Sequence, residues 1–318
     1  MASAARRRAP AEPPLAAIIG PTASGKSELA MALAQRLPLE ILVADSRQVY
    51  RGMDIGTAKP STADRAMVPH HLLDLADPDQ LFTVADWVER AQPAVTQVAS
   101  RGALPLVVGG TGLYVSALVD GFDLAAQPWS PELRQRLARE LEAEGLPALA
   151  VRLARVDQAA AARTDWRNPR RVLRALERAE AGGPALTPRA NPYPGRLAML
   201  GVSRPRDVLY RRIDARATRL FAGGLLDEVR SLQQAGYGAE LSPMTGHGYR
   251  EAARHLAGEW SLEDAVTVTA RRTRQYAKRQ LSWFRRDPRI IWLDAGDGPA
   301  SDGELVEWAV DLVRRLLG

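Results

Sequence analysis

Eight consecutive residues, Gly20, Pro21, Thr22, Ala23, Ser24, Gly25, Lys26 and Ser27, satisfy every fixed position of the phosphate-binding spacing G-x-x-x-x-G-K-S/T. Glycines at those positions let a tight loop turn its backbone N–H groups inward onto phosphate oxygens. Lys26 adds a full positive charge, and the Ser27 hydroxyl is a ligand for Mg2+. The flanks fit the same geometry. Leu15-Ala-Ala-Ile-Ile19 reads as a buried strand, and Glu28–Leu37 as a helix with Leu29, Leu33 and Leu37 at four-residue steps. The loop would then open onto a helix N-terminus, whose partial charge favours anions. A chance Gly-containing turn would not bring both flanks with it. The segment implies a bound di- or triphosphate and leaves open what is done to it.

Asp45 follows the apolar run Glu40-Ile-Leu-Val-Ala44, a second strand. A carboxylate at a strand end near a phosphate cradle can hold Mg2+ through water, accept a proton from a nucleophile, or cap the following turn, and spacing alone leaves these open. Thr111 sits in Gly109-Gly-Thr-Gly112 after the strand Leu104–Val108, where a tight turn into a helix competes with close approach to a ligand. Arg204, Arg206, Arg211 and Arg212 follow the strand Leu197–Ser203, and one or more could reach over a bound phosphate as a bidentate fork. His70, His71, His247 and His255 have no metal-ligand spacing. His247 lies between glycines and so could approach a ligand, although a structural role is its default.

Between Arg271 and Arg289 eight basic residues are opposed only by Asp287, and Tyr276, Trp283 and Phe284 are interleaved. Cations with stacking rings suit RNA loops, whose unstacked bases can be gripped. A second basic group, Arg167, Arg170, Arg171 and Arg174, reads about equally as a helix face paired with local acids.

Strands alternating with helices place these groups on a parallel α/β sheet, at the C-terminal strand ends where such sheets bind ligands. Strand signals vanish between 122 and 196, and three helices are predicted there, Pro131–Glu144, Pro147–Val156 and Pro169–Glu180. The expected organisation is a disordered tail over 1–13, a core over 14–121, a helical insertion over 122–196, and core completion with basic helices over 197–318. With 318 residues the chain can bury a sizeable core. It has no cysteine, which excludes disulfides and thiolate metal sites and fits a cytoplasmic protein. No apolar run approaches the roughly 18–20 residues that span a bilayer. The Ala/Arg/Pro-rich start is not a secretory signal, and the net charge of +6 favours polyanions.

Taken together, these segments resemble the tRNA dimethylallyltransferase family. The matching stretches are GPTASGKS (20–27), DSRQVYRGMDIGTAKP (45–60), PHHLLDLADP (69–78), GGTGLY (109–114), NPRRVLRALE (168–177), LYRRIDAR (209–216), GHGYRE (246–251) and RTRQYAKRQLSWFR (272–285). The resemblance implies a fold similar to P-loop nucleoside kinases, with a helical insertion that grips the anticodon stem. It implies transfer of a dimethylallyl group from dimethylallyl diphosphate to N6 of adenosine 37, with Mg2+ as cofactor. Residues 20–27 would hold the leaving diphosphate, with Ser27 on the metal, Thr111 and Arg212 on the diphosphate, and Asp45 accepting the N6 proton. A base stacked in a loop is unreachable, so extrusion is expected. The implied tRNA contacts are Asp45, Ser46, Arg47, Gln48, Thr111 and Arg134; Arg170, Arg171, Val172, Leu173 and Arg174; Thr245, Gly246, His247, Gly248, Tyr249 and Arg250; and Lys278, Arg279, Gln280, Trp283 and Arg285. Asn168 stands where many relatives have Asp, and His247 where an aliphatic residue is common. Nothing in the sequence demands more than a monomer. The rival expectations are a small-molecule kinase, a non-catalytic RNA-binding NTPase module, and an isopentenyltransferase acting on free adenine nucleotides.

Overall fold

The computed structural model describes residues 12–122, 130–182 and 191–318. The tail over 1–13, apart from its last two residues, and most of the Pro/Gly-rich segment after Gly182 lie outside them. The chain divides into two compact units. One comprises the residues up to Asp120 together with Pro192–Gly318, and the other is Gly121–Asn191.

In the first unit β1 (Leu15–Ile19) leads into α1 (Lys26–Ala34), followed by β2 (Leu39–Ala44), α2 (Thr62–Met67) and the two-residue β3 (His70–His71). Then come α3 (Val84–Ser100), β4 (Leu104–Gly109) and α4 (Gly112–Val119). The sheet order is β3-β2-β4-β1, and it continues through β5 (Leu197–Ser203) and β6 (Ile290–Asp294); every pairing is parallel. In register, Ile18 stands between Val108 of β4 and Leu200 of β5. The central strands are apolar runs rather than alternating ones because helices cover both faces. On one face α1 contributes Leu29 and Leu33, and a C-terminal helix, Gly303–Leu317, contributes Val306, Val310 and Val313 to a single core with the strands. α3 packs against β2 and β4, its fully buried Trp87 donating to the Val43 carbonyl at 3.1 Å. The β1 neighbours β4 and β5 are reached by chain running in opposite directions across the sheet, which leaves a crevice beyond the C-terminal ends of these strands.

Among the described residues, the second unit is three helices. α5 (Pro131–Val156) is broken at Gly145, whose φ of 79° and ψ of 164° are non-helical, so the two helices predicted there exist as two arms of one bent element. α6 (Gln158–Arg163) and α7 (Pro169–Glu180) close a core of Leu137, Leu149, Leu153, Val172 and Leu176. The Asn168 side chain caps α7 by accepting from the Arg171 amide at 3.3 Å. The unit ends at Asn191, before the predicted 196, because the next residues are tied to the sheet unit. Tyr193 N–H donates to the Val119 carbonyl at 2.8 Å, and Leu15 N–H donates to the Arg196 carbonyl at 2.9 Å.

The remaining helices belong to the first unit: α8 (Arg206–Ala222), α9 (Leu225–Gln234), α10 (Tyr249–Leu256), α11 (Leu262–Phe284) and α12 (Gly303–Leu317). α11 starts from a Ser261/Asp264 capping box and packs along α8. Among the described residues, no helix is long and apolar enough to cross a membrane.

Candidate functional site

The loop between β1 and α1 depends on two glycines with left-handed backbones. A Cβ on Gly20 (φ 143°) would lie 2.6 Å from the Val202 carbonyl, and one on Gly25 (φ 104°) 2.5 Å from Ala300 Cβ. Within the loop, Lys26 Nζ donates to the Pro21 carbonyl at 2.7 Å. Burial, followed by the nearby Arg216 charge, pulls the Lys26 ammonium down to about 8, against a smaller upward pull from Asp45. This cradle concentrates positive charge and is built for an anion.

Three elements grip the loop from outside. The Thr22 amide donates to Gln280 Oε1 of α11 at 2.8 Å, and Gln280 Nε2 donates on to the Gly110 carbonyl at 2.8 Å. Arg212 of α8 donates from Nε to the Ala23 carbonyl at 3.1 Å. Arg204, after β5, donates from Nε to the Ser24 carbonyl at 2.7 Å and from Nη1 to the carbonyls of Ala295, Gly296 and Gly298. Arg204 is only 7% exposed, and its Nη2 has no partner beside Gly25.

The cradle opens into a cavity of about 440 Å3 lined by Lys26, Ser27, Asp45, Gln48, Arg216 and Tyr276, with Met31, Ile41, Val43 and Val108 as an apolar wall. Asp45 caps its own turn, since Oδ1 accepts from the amides of Arg47 at 2.8 Å and Gln48 at 3.4 Å. The other carboxylate oxygen is left for chemistry. Thr111 occupies the N-cap position of α4 but makes no capping bond. Its hydroxyl accepts from the Ser46 amide at 3.0 Å, which locks the β2 and β4 ends together beside the cavity. Among the described residues no group of three His, Asp, Glu or Cys could hold a metal unaided. Mg2+ needs less than that, because it is commonly held by one or two protein oxygens, with phosphate and water completing its shell. The Ser27 hydroxyl and the Asp45 carboxylate on the same cavity wall fit such an ion.

Arg212 and Arg216 lie one helical turn apart on α8, and the structure separates them. Arg212 lines the cavity, but its guanidinium is committed to the Ala23 carbonyl and, at 2.6 Å, to Glu28. Arg216 makes a single long bond, 3.4 Å to the Thr57 carbonyl, and faces both Lys26 and Asp45. Burial lowers its pKa and Asp45 opposes that shift. Of these two, Arg216 is the guanidinium left for an anion, and sequence could not select it, because i and i+4 share a helix face. Arg204, read as reaching over the phosphate, lies behind the loop instead.

The residues assigned to tRNA divide into two groups. Arg170, Arg171, Arg250, Lys278, Arg279 and Arg285 are exposed, and Trp283 is 41% exposed with Nε1 bonded to Ser116 Oγ at 3.3 Å. Ser46, Arg47 and Gln48 are half-buried; Arg47 donates to the Ser242 carbonyl at 2.6 Å and Gln48 to that of Thr57 at 3.1 Å. Thr245 bonds the Ser242 carbonyl at 2.7 Å, Gly246 and Gly248 are buried, and the Gly248 amide donates to Glu251 at 2.8 Å. The others are turned into the protein or held in ion pairs. Val172 is fully buried and Leu173 packs against the helical core. Tyr249 is buried with its hydroxyl on Glu228, and Gln280 is the strut described above. Arg134 and Arg174 pair with the buried Glu177. The i, i+3, i+4 pattern of Val172, Ala175 and Leu176 carries that burial in the sequence.

His247 is half-buried, its ring tilted against Tyr276 at 5.4 Å, and burial holds its imidazole down at about 4, so it is neutral near pH 7. The basic run on α11 is also less bare than its sequence. Arg272 pairs with Glu251, Arg274 with Asp214 at 2.6 Å, and Arg289 with Asp120 at 2.7 Å. All three acids lie far away in sequence.

A parallel α/β sheet, a cradle of the phosphate-binding type after its first strand and a carboxylate on the same cavity define a protein with a P-loop-like core. The family model described as "IPP transferase" matches residues 48–287, and one described as "Isopentenyl transferase" matches 13–75. The tRNA dimethylallyltransferase of Syntrophobacter fumaroxidans is 46% identical over 304 residues, covering 94% of this chain and 89% of that protein. That of Geobacter metallireducens is 48% identical over 286 residues, covering 88% and 92%. The crystal structure of a tRNA isopentenylpyrophosphate transferase from Bacillus halodurans is 38% identical, with a TM-score of 0.69 and coverage of 96% and 97%. A eukaryotic dimethylallyltransferase acting on tRNA reaches a TM-score of 0.77 at 25% identity, covering 94% of this chain and 78% of that one. The chain belongs to the IPP transferase family.

Proposed function

We propose that this protein modifies tRNA by transferring a dimethylallyl group from dimethylallyl diphosphate to N6 of adenosine 37, releasing diphosphate. The observation that carries this reading is the single cavity in which the cradle, Arg216 and Asp45 meet. As the allylic C–O bond breaks, negative charge accumulates on the departing diphosphate. The loop amides, Lys26 and Arg216 are preorganised to receive it. N6 of an extruded adenine bonds to the carbon, and the free oxygen of Asp45 accepts the N6 proton. Mg2+ would be held by Ser27, with Asp45 in reach through water, and would supply further charge neutralisation on the diphosphate when bound. Thr111 holds the Asp45–Ser46 turn against β4, which fixes the direction of that carboxylate.

The exposed set, Arg170, Arg171, Arg250, Lys278, Arg279, Arg285 and Trp283, offers the charge and the stacking ring an anticodon stem-loop requires. The protein would act as a monomer, in the cytoplasm. A kinase would use the same cradle, but the relatives named for tRNA dimethylallyl transfer speak against it. The test is product mass. Incubation with an anticodon stem-loop RNA and dimethylallyl diphosphate should add one dimethylallyl group to the RNA and release diphosphate. Addition to AMP in place of RNA, or ATP-dependent phosphorylation of a metabolite, would overturn the proposal.

A further inference from the structure

The helical unit carries one surface that the chemistry above leaves unused. Trp166 is 61% exposed, more than any other tryptophan among the described residues. The apolar core of its unit closes without it. Its backbone is nevertheless fixed, because Asp165 Oδ1 accepts from the Arg167 amide at 3.2 Å and the Asn168 amide donates to the Asp165 carbonyl at 3.0 Å. The ring is therefore displayed from a tied turn. The Arg167 guanidinium lies 5.0 Å from the ring centroid, backing it with a cation.

The charges around it point the same way. In this unit Arg134, Arg136, Arg152 and Arg174 pair with Glu140, Glu177 or Glu180, whereas Arg139, Arg155, Arg163 and Arg178 make no ion pair among the described residues but do not adjoin Trp166 in sequence. Arg167, Arg170 and Arg171 are exposed, and their side chains make no ion pair among the described residues. A lone ring among three unpaired cations offers too little apolar area for a protein or bilayer partner. It matches a nucleotide, which brings a π-face and a phosphate together.

We propose that Trp166 is a stacking platform for an unpaired RNA nucleotide, backed by Arg167, with Arg170 and Arg171 on the adjoining phosphates. The inference rests on the tRNA reading above and sharpens it, because a base inside a stem has no free face whereas an unstacked one does.

The test measures tRNA affinity of the full-length protein across salt concentrations for Trp166→Ala, Trp166→Phe and the double variant Arg170→Gln/Arg171→Gln. Trp166→Ala should weaken binding about tenfold with an unchanged salt slope, and Trp166→Phe should restore most of it. The double variant should lower the slope by about one per arginine. A blunt duplex of the same stem should not distinguish Trp166→Ala from wild type. Wild-type affinity of Trp166→Ala for the stem-loop, or an equal loss on the duplex, overturns the platform. If the double arginine variant still weakens binding, the tRNA reading of this unit survives that result; if both variants are silent, that reading falls too.

Discussion

Lys26 is a cation held where a cation is disfavoured. Burial, and then the Arg216 charge, pull it down to about 8, so the cradle begins to lose its charge just above neutrality. The sign follows directly. A bound diphosphate favours the charged lysine, so donor affinity is full below pH 8 and declines above it, approaching tenfold per unit. The pH profile of kcat/KM for the donor should show this fall, since it reports the free enzyme. The neighbouring arginines should separate by assay. Arg216→Gln should cost about a hundredfold in turnover, the scale of a lost charge-stabilising donor. Arg212→Gln should act mainly through donor KM, because it steadies the loop through Ala23 and Glu28. Asp45→Asn should cost about a hundredfold or more while leaving tRNA affinity nearly unchanged. Equal rates for the two arginine variants, measured under donor saturation, would remove the distinction.

At the scale of elements, the phosphate loop is a segment gripped by parts of the chain far from it. Arg204, after β5, carries a buried charge that makes no ion pair among the described residues and holds four carbonyls, one of them in the loop. Arg204→Met should raise donor KM about tenfold, the scale of a charge-assisted hydrogen bond, with tRNA KM unchanged and partial recovery in Arg204→Lys. A parallel rise in both KM values would mean general destabilisation instead. The loop itself was legible because its defining residues are contiguous. Helix α7 was legible in extent, its bounds falling at Pro169 and Glu180 as predicted. β3 was not, since two residues give no periodicity and its pairing with β2 is a tertiary event. The roles of Gln280 and Tyr249 were not legible for a related reason. The resemblance assigned both to tRNA, and only packing shows both turned inward.

For the molecule as a whole, the net charge of +6 overstates how much of the basic surface is free. Arg272, Arg274 and Arg289 are neutralised by distant acids, which leaves Lys278, Arg279 and Arg285 as the open cations of that stretch assigned to RNA. Lys278→Gln/Arg279→Gln should therefore weaken tRNA binding and lower its salt slope by about two, while Arg274→Gln should leave the slope alone. An isothermal titration series across ionic strength decides between them. The division into a sheet unit and a helical unit could be read from where strand signals stop. Its end at Asn191 could not, because Tyr193 and Arg196 join the sheet through backbone bonds that carry no mark in composition.

The grip on Thr22, Ala23 and Ser24 has a consequence for birth on the ribosome. Every residue of the fingerprint emerges well before its holders, Arg204, Arg212 and Gln280. A nascent chain stalled before Gln280 would display the whole motif and still lack a finished receptacle for the donor. Competence to bind would thus wait until Gln280 has been made and folded against the loop.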